Sequence, residues 1–211
     1  MSRSLAFSAL LLSGCGFSFQ PDAGTPPVVD TATPAAGPTG SYAAAARADL
    51  RVKRWRQLSL DLQGALELPE DQVCKEAGNF DCAVLHTAQL GGVSVDHALY
   101  EPITWWTVTT GLAMERFSLQ ACHNRLVLDR DGDAPVVYSH VELGATTLTA
   151  EAADAQATEL WRRVLARDPA AWELEAARDL HADVVADGAN NGEWAALLCF
   201  SLATSTEHLL Y

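Results

Sequence analysis

The sequence predicts a mainly α-helical domain of about five to six helices, with irregular or extended segments around residues 80–110 and an unstructured tether before it. Three observations carry this reading. Hydrophobic residues make up 49% of the chain, enough to fill a core. They recur at three- and four-residue spacing, as in Leu119, Cys122 and Leu126, or in Trp172, Ala176, Leu180 and Val184. Helix start and stop signals bracket those runs: Thr149, Asp168-Pro169 and Gly188.

Ser41 can cap a first helix that runs through the alanines to about Gln57. That stretch carries Arg47, Arg51, Lys53, Arg54 and Arg56, a basic cluster in an acidic chain. Such a cluster reads as a solvated face or as partners for the protein's own carboxylates, with anionic lipid or a phosphate as the functional alternative. Leu58, Leu60 and Leu62 alternate with polar residues and suggest a short strand. Pro69 suits the first position of a short helix, with Glu70 and Asp71 in its first turn and an end near Gly78. Gly91-Gly92 marks a turn. Ile103 to Thr110, including Trp105 and Trp106, is rich in β-branched and aromatic residues and reads as extended.

Thr109 or Thr110 then caps a helix from about Gly111 to Leu128. Asp129, Asp131, Gly132 and Asp133 follow as a polar loop. Thr149 begins the next helix, with Leu160, Trp161, Val164 and Leu165 on its buried side. Asp168 caps the one after, Pro169 starts it and Gly188 stops it. The last helix spans about Gly192 to Thr206, with Trp194, Leu197, Leu198, Ser201 and Leu202 inward. Short connections between these three favour a compact antiparallel packing.

The N-terminus has a different character. Arg3 gives a positive start, Leu5 to Leu12 is apolar except for Ser8, and Leu12-Ser13-Gly14 leads directly into Cys15. This pattern resembles the lipobox of bacterial lipoproteins. The resemblance implies that residues 1–14 are a cleaved signal peptide. It also implies that Cys15 takes lipid on its thiol and that the protein resides in the cell envelope. Gly16, rather than Asp, implies the outer membrane under Gram-negative sorting patterns, with a periplasmic or surface-exposed domain. The apolar run falls short of the roughly 20 residues that span a bilayer. Attachment would therefore rest on acyl chains, at about 0.8 kcal/mol per buried methylene. Residues 15–41, with Pro21, Pro26, Pro27, Pro34 and Pro38, form the lipidated N-terminus and tether. Residues 42–211 make a single helical domain.

The formal net charge of -13 disfavours nucleic acid, whose binding needs a basic footprint. Beyond Cys15 the cysteines are Cys74, Cys82, Cys122 and Cys199, an even set that suggests disulfides in an exported chain. Three pairings are open. The Gly78-Asn79 turn signal favours Cys74 with Cys82, leaving Cys122 with Cys199 to tie two helices.

A second resemblance lies at the C-terminal end. Leu160 to Pro169 reads LWRRVLARDP, and Glu193 to Tyr211 reads EWAALLCFSLATSTEHLLY. Together they resemble the C-terminal helical segments of uncharacterised planctomycete and myxobacterial secreted proteins, several of which accompany or belong to proteins with c-type cytochrome domains. His208 and Leu209 stand where that pattern has acidic and aromatic residues. The resemblance supplies no catalytic residue and implies only an association with haem chemistry.

Covalent haem uses Cys-x-x-Cys-His, and Cys122-His123 is the second half of that motif without the first cysteine. These two residues are the candidate cofactor ligands, although a chance Cys-His pair on a helix is the better explanation of them. Cys82 and His86 stack one helical turn apart but lack two further ligands for zinc. Asp129-Arg130-Asp131-Gly132-Asp133 resembles the start of a calcium loop, but Gly falls at its fourth position and His140 at its twelfth, so the stretch reads as a solvated turn. Ser139-His140 is not part of a Gly-x-Ser-x-Gly elbow, and no HExxH helix is present.

The leading expectation is a membrane-anchored envelope protein that binds or assists an unknown envelope partner, without catalysis, cofactor or metal. A haem-associated redox accessory is one alternative. An unrecognised hydrolase is the other, and it needs histidine and carboxylates brought together in a pocket.

Overall fold

Leu58, Leu62 and Leu66 are spaced by four and fully buried, whereas Leu60 between them is exposed. In the computed structural model, which describes residues 51–76, 78–93 and 107–210, this face makes α1 (Trp55–Leu66) a helix. The strand expected from Leu58, Leu60 and Leu62 does not form, because the longer four-residue repeat outweighs a three-point alternation. Cys15, the segments expected to be a signal peptide and a tether, and the residues around Trp105 and Trp106 lie outside the described residues.

The helix expected up to Gln57 is also corrected in its described part. Val52 bridges to Leu210, and the Lys53 N–H donates to the Leu209 carbonyl at 2.9 Å. The chain is therefore extended there, and α1 begins only at Trp55. Lys53 pairs with Asp61 at 2.7 Å, the partner-for-carboxylates outcome.

Pro69 precedes one 3-10 turn, Glu70–Gln72, rather than a helix reaching Gly78. A hairpin takes over: β1 (Lys75–Glu76) pairs antiparallel with β2 (Phe80–Asp81), in the register Lys75 to Asp81 and Glu76 to Phe80. A disulfide between Cys74 and Cys82 closes it around the Gly78-Asn79 turn. The single turn α2 (Cys82–Leu85) follows.

The long helix α3 (Val108–Asp131) starts earlier and ends later than expected. Its cap is Thr107, not Thr109 or Thr110. Thr107 Oγ1 accepts from the Thr110 N–H at 3.2 Å, and Thr110 Oγ1 accepts from the Thr107 N–H at 3.3 Å. This reciprocal box pulls Val108 to Thr110 into the helix. Cys122 and Leu126 face the core, but Leu119 is exposed.

Thr149 caps α4 (Ala150–Leu165) as expected, accepting from the Ala152 N–H at 3.2 Å. Leu160, Trp161 and Val164 are buried along it. The next helix, α5 (Ala171–Ala186), departs from expectation at its start. Asp168 pairs with Arg162 at 2.6 Å instead of capping, and Glu173 accepts from the Ala170 N–H at 2.6 Å. Trp172 is 69% exposed, so the inward stripe runs one place later, through Glu173 and Ala177, with Leu174, Leu180 and Val184 half-buried. Gly188, at φ +93°, ends it.

Asn190 caps α6 (Asn191–Ala203) with a second reciprocal box, to Glu193. Trp194, Leu198 and Leu202 point inward, while Leu197 and Ser201 do not. The helix stops before Thr206, because Ser205 caps a separate turn, α7 (Thr206–Leu209). α6 is central: it packs on α3, α4 and α5, and α1 lies against α3 and α4. A disulfide joins Cys122 of α3 to Cys199 of α6.

Residues 132–149 contain no regular element, yet buried side chains hold their backbone. Asp129 is 3% exposed. Its carboxylate accepts from Arg125 Nη2 (2.6 Å) and from the N–H groups of Val136 (2.7 Å), Val137 (3.1 Å) and Tyr138 (2.8 Å). Gln156 donates to the Val137 carbonyl and accepts from the His140 N–H. Asn191 donates to the Glu142 and Thr147 carbonyls. Three helices thus satisfy the loop's buried polar groups from inside. The solvated turn expected over Asp129 to Asp133 is corrected at its first residue: Asp129 is a buried backbone acceptor in the last turn of α3, whereas Asp131 and Asp133 face solvent.

Candidate functional site

α3 presents Arg116, Gln120 and Asn124 at four-residue spacing, which places them on one face. The hairpin and the 3-10 turn lie opposite. Between them is a cleft of about 460 Å³ lined by Asp71, Gln72, Lys75 and Gly78 on one side and by Gln120, Asn124, Val127 and Leu128 on the other. A second hollow of about 300 Å³ shares Gln120 and adds Glu76, Arg116 and Leu119.

The polar groups of this surface are oriented. Gln120 Nε2 donates to Asn124 Oδ1 at 2.7 Å, and Asn124 Nδ2 donates to the Gln72 carbonyl at 2.6 Å. Glu76 Oε1 lies 2.6 Å from His86 Nε2 and 3.3 Å from Arg116 Nη1. The hydrogen bond to His86, then the charges of His86 and Arg116, hold the Glu76 carboxyl below its ordinary range against the opposing effect of desolvation. Among the described residues, neither hollow is lined by a serine, threonine or cysteine. The amide donors and acceptors of this surface and its paired carboxylate can hydrogen-bond polar, peptide-like groups.

The residues singled out from sequence fall elsewhere. Cys74 with Cys82 and Cys122 with Cys199 are bonded as favoured, and Cys82, Cys122 and Cys199 are fully buried. The haem alternative at Cys122 and His123 does not fit the structure. The Cys122 sulfur is engaged with Cys199 and has no thiol to attach a vinyl group, and His123 faces solvent on the helix beside it. Cys82 and His86 are likewise not a ligand pair, because Cys82 is in a disulfide and His86 binds Glu76. Ser139 and His140 are exposed on the pinned loop. Among the described residues, no group of three His, Cys, Asp or Glu is placed to hold a metal ion. The Arg116, Gln120 and Asn124 stripe is not among the sequence-based expectations, because the periodicity that marks α3 is that of its apolar side. Its own four-residue repeat was the available signal.

One buried titratable group stands apart. His208 in α7 is 2% exposed, its Nδ1 lies 3.1 Å from the Val164 carbonyl, and its Nε2 has no partner. Desolvation first, then the charge of Lys53, lowers its pKa below the ordinary histidine value, against smaller opposing effects of the Val164 carbonyl and Asp61. The folded state therefore binds this proton less readily than the unfolded chain. Its destabilising contribution is absent above about pH 6.5 and grows as pH falls from there toward the folded-state value. Glu76, Glu173 and Glu207 have lowered values, so their stabilising contributions fade only in more acid solution. Urea midpoints should thus fall between pH 6.5 and 5, and His208→Gln should flatten that segment of the curve. An unchanged slope in the variant would rule the assignment out.

No family model, curated protein or solved structure matches this chain.

Proposed function

We propose that this protein is a lipid-anchored lipoprotein of the bacterial envelope whose folded unit is a non-catalytic binding or accessory module. The single observation that carries the reading is the placement of Cys15 directly after a short apolar run and Ser13-Gly14. Two disulfides are compatible with an extracytoplasmic compartment. No helix among the described residues is long and apolar enough to cross a membrane. The cleft between the hairpin and α3 is the proposed contact surface, because its amides are held in fixed orientation by Gln120, Asn124 and the Gln72 carbonyl.

Exported from its natural leader, the protein should fractionate with membranes and take up labelled fatty acid. Cys15→Ser should abolish both. Labelling that persists in the variant would overturn the anchor. Intact mass of the exported chain tests the second half: a mass matching protein plus acyl chains, less four hydrogens for two disulfides, is expected, whereas stoichiometric haem or metal would overturn the non-catalytic binding reading.

A further inference from the structure

We propose that the hollow at the start of α1 is a binding site for a phosphate group. It encloses about 320 Å³ and is lined by Arg54, Trp55, Arg56, Gly91, Gly92 and Val93.

Charge accounting points to an anion. The chain has 27 Asp and Glu against 14 Lys and Arg, so carboxylate partners are abundant. Lys53, Lys75, Arg116, Arg125, Arg162 and Arg178 each take one, and Arg163 and Arg167 each take two. Among the described residues, Arg54 and Arg56 have none within ion-pair distance, although they flank one concavity. Arg130 has none either, but it lines none of the three hollows described here.

The hollow is also built. The Arg56 guanidinium lies over the Trp55 ring at 5.1 Å, which limits its freedom. The Trp55 N–H is held by the Leu90 carbonyl at 3.0 Å. A Cβ on Gly92 would sit 2.8 Å from Trp55 Nε1 and 2.5 Å from Thr87 Cγ2, so only glycine lets this turn close against the indole. Arg54 caps α1 without a side-chain acceptor, and the first turn has no acidic residue, so the positive end of the helix adds to the two guanidinium groups. Paired guanidinium forks fit a tetrahedral phosphate oxygen set better than a single lysine would. The overall negative charge of the chain makes the site weak at long range and sensitive to salt.

The shared chemistry is a phosphate ester, supplied by an anionic phospholipid headgroup or by a small soluble compound. The headgroup version rests on the anchored reading above; the soluble version does not.

The test uses the full chain carrying Cys15→Ser, so that acylation plays no part and failure of the anchor leaves the result unaffected. Nitrogen-15 spectra are recorded against sodium phosphate at constant ionic strength, and separately against phosphatidylglycerol and phosphatidylcholine vesicles. Saturable shifts are expected at the Trp55 indole N–H and at the amides of Arg56 and Gly92. Arg54→Gln with Arg56→Gln should weaken binding at least about tenfold. Both side chains are exposed, so this pair of substitutions leaves the core intact. Saturation by phosphate assigns a soluble ester, and response to phosphatidylglycerol vesicles alone assigns a headgroup. No shift at these three groups with either probe overturns the site. So does binding that survives the double substitution.

Discussion

Asp129→Ala should destabilise the folded unit by about 3 to 5 kcal/mol, the largest effect expected of any single side chain here. Removal of the carboxylate leaves Arg125, whose side chain is 7% exposed, as a buried charge without its partner. It also strips the acceptor from the N–H groups of Val136, Val137 and Tyr138. A domain of this size holds only about 5 to 15 kcal/mol in total, so the variant should sit near the edge of folding. The local signature should appear too. Burial, reinforced by the Asp129 carboxylate, raises the Tyr138 phenol, which stays neutral and donates to the Cys122 carbonyl at 3.1 Å. Exchange protection at residues 136–138 should therefore collapse before protection in α4 or α6. Asp131→Ala, on the exposed side of the same turn, is the control and should change stability by less than about 0.5 kcal/mol. Equal urea midpoints for the two variants would defeat this account.

The second large effect belongs to the Cys122–Cys199 disulfide. Its ends are 77 residues apart in sequence, so a chain-entropy model assigns it about 4 to 5 kcal/mol. The Cys74–Cys82 bond spans 8 residues and is worth about 2 to 3 kcal/mol on the same basis. Cys122→Ala with Cys199→Ala should therefore lower the thermal midpoint clearly more than Cys74→Ala with Cys82→Ala. In the native protein, Cys122 and Cys199 should resist alkylation even with mild reductant present, since both are fully buried. Rapid labelling of either residue without unfolding, or an inverted order of the two midpoints, would contradict the assignment.

Much of the helical pattern was legible because it was repeated. Thr149, Gly188 and the inward set Trp194, Leu198 and Leu202 are where capping chemistry and four-residue spacing put them. The misreadings share one cause: local signals with competing partners elsewhere. Asp168 is a good helix cap by type, but Arg162 takes it, and Glu173 reaches back to Ala170 instead. Asp129 reads as the start of a polar loop, yet Arg125 one turn before it supplies the charge that permits burial. Leu58, Leu60 and Leu62 fit a strand until Leu66 is included. The candidate site was less visible, since it joins Gln72 and Glu76 to Arg116, Gln120 and Asn124 across more than 35 positions of sequence, about what a loop-closure argument would leave undetermined.

The pairing of Val52 and Lys53 with Leu209 and Leu210 has a mechanical consequence. A force applied to the N-terminal side of the unit meets this junction first. Two backbone contacts in series part by peeling, so the junction yields at low load and acts as a fuse ahead of the helices. Behind it, the covalent link from position 122 to position 199 removes the intervening segment from the load path, however hard the ends are drawn apart. With that bond intact, the fully drawn-out unit falls short of its contour length by the segment between positions 122 and 199.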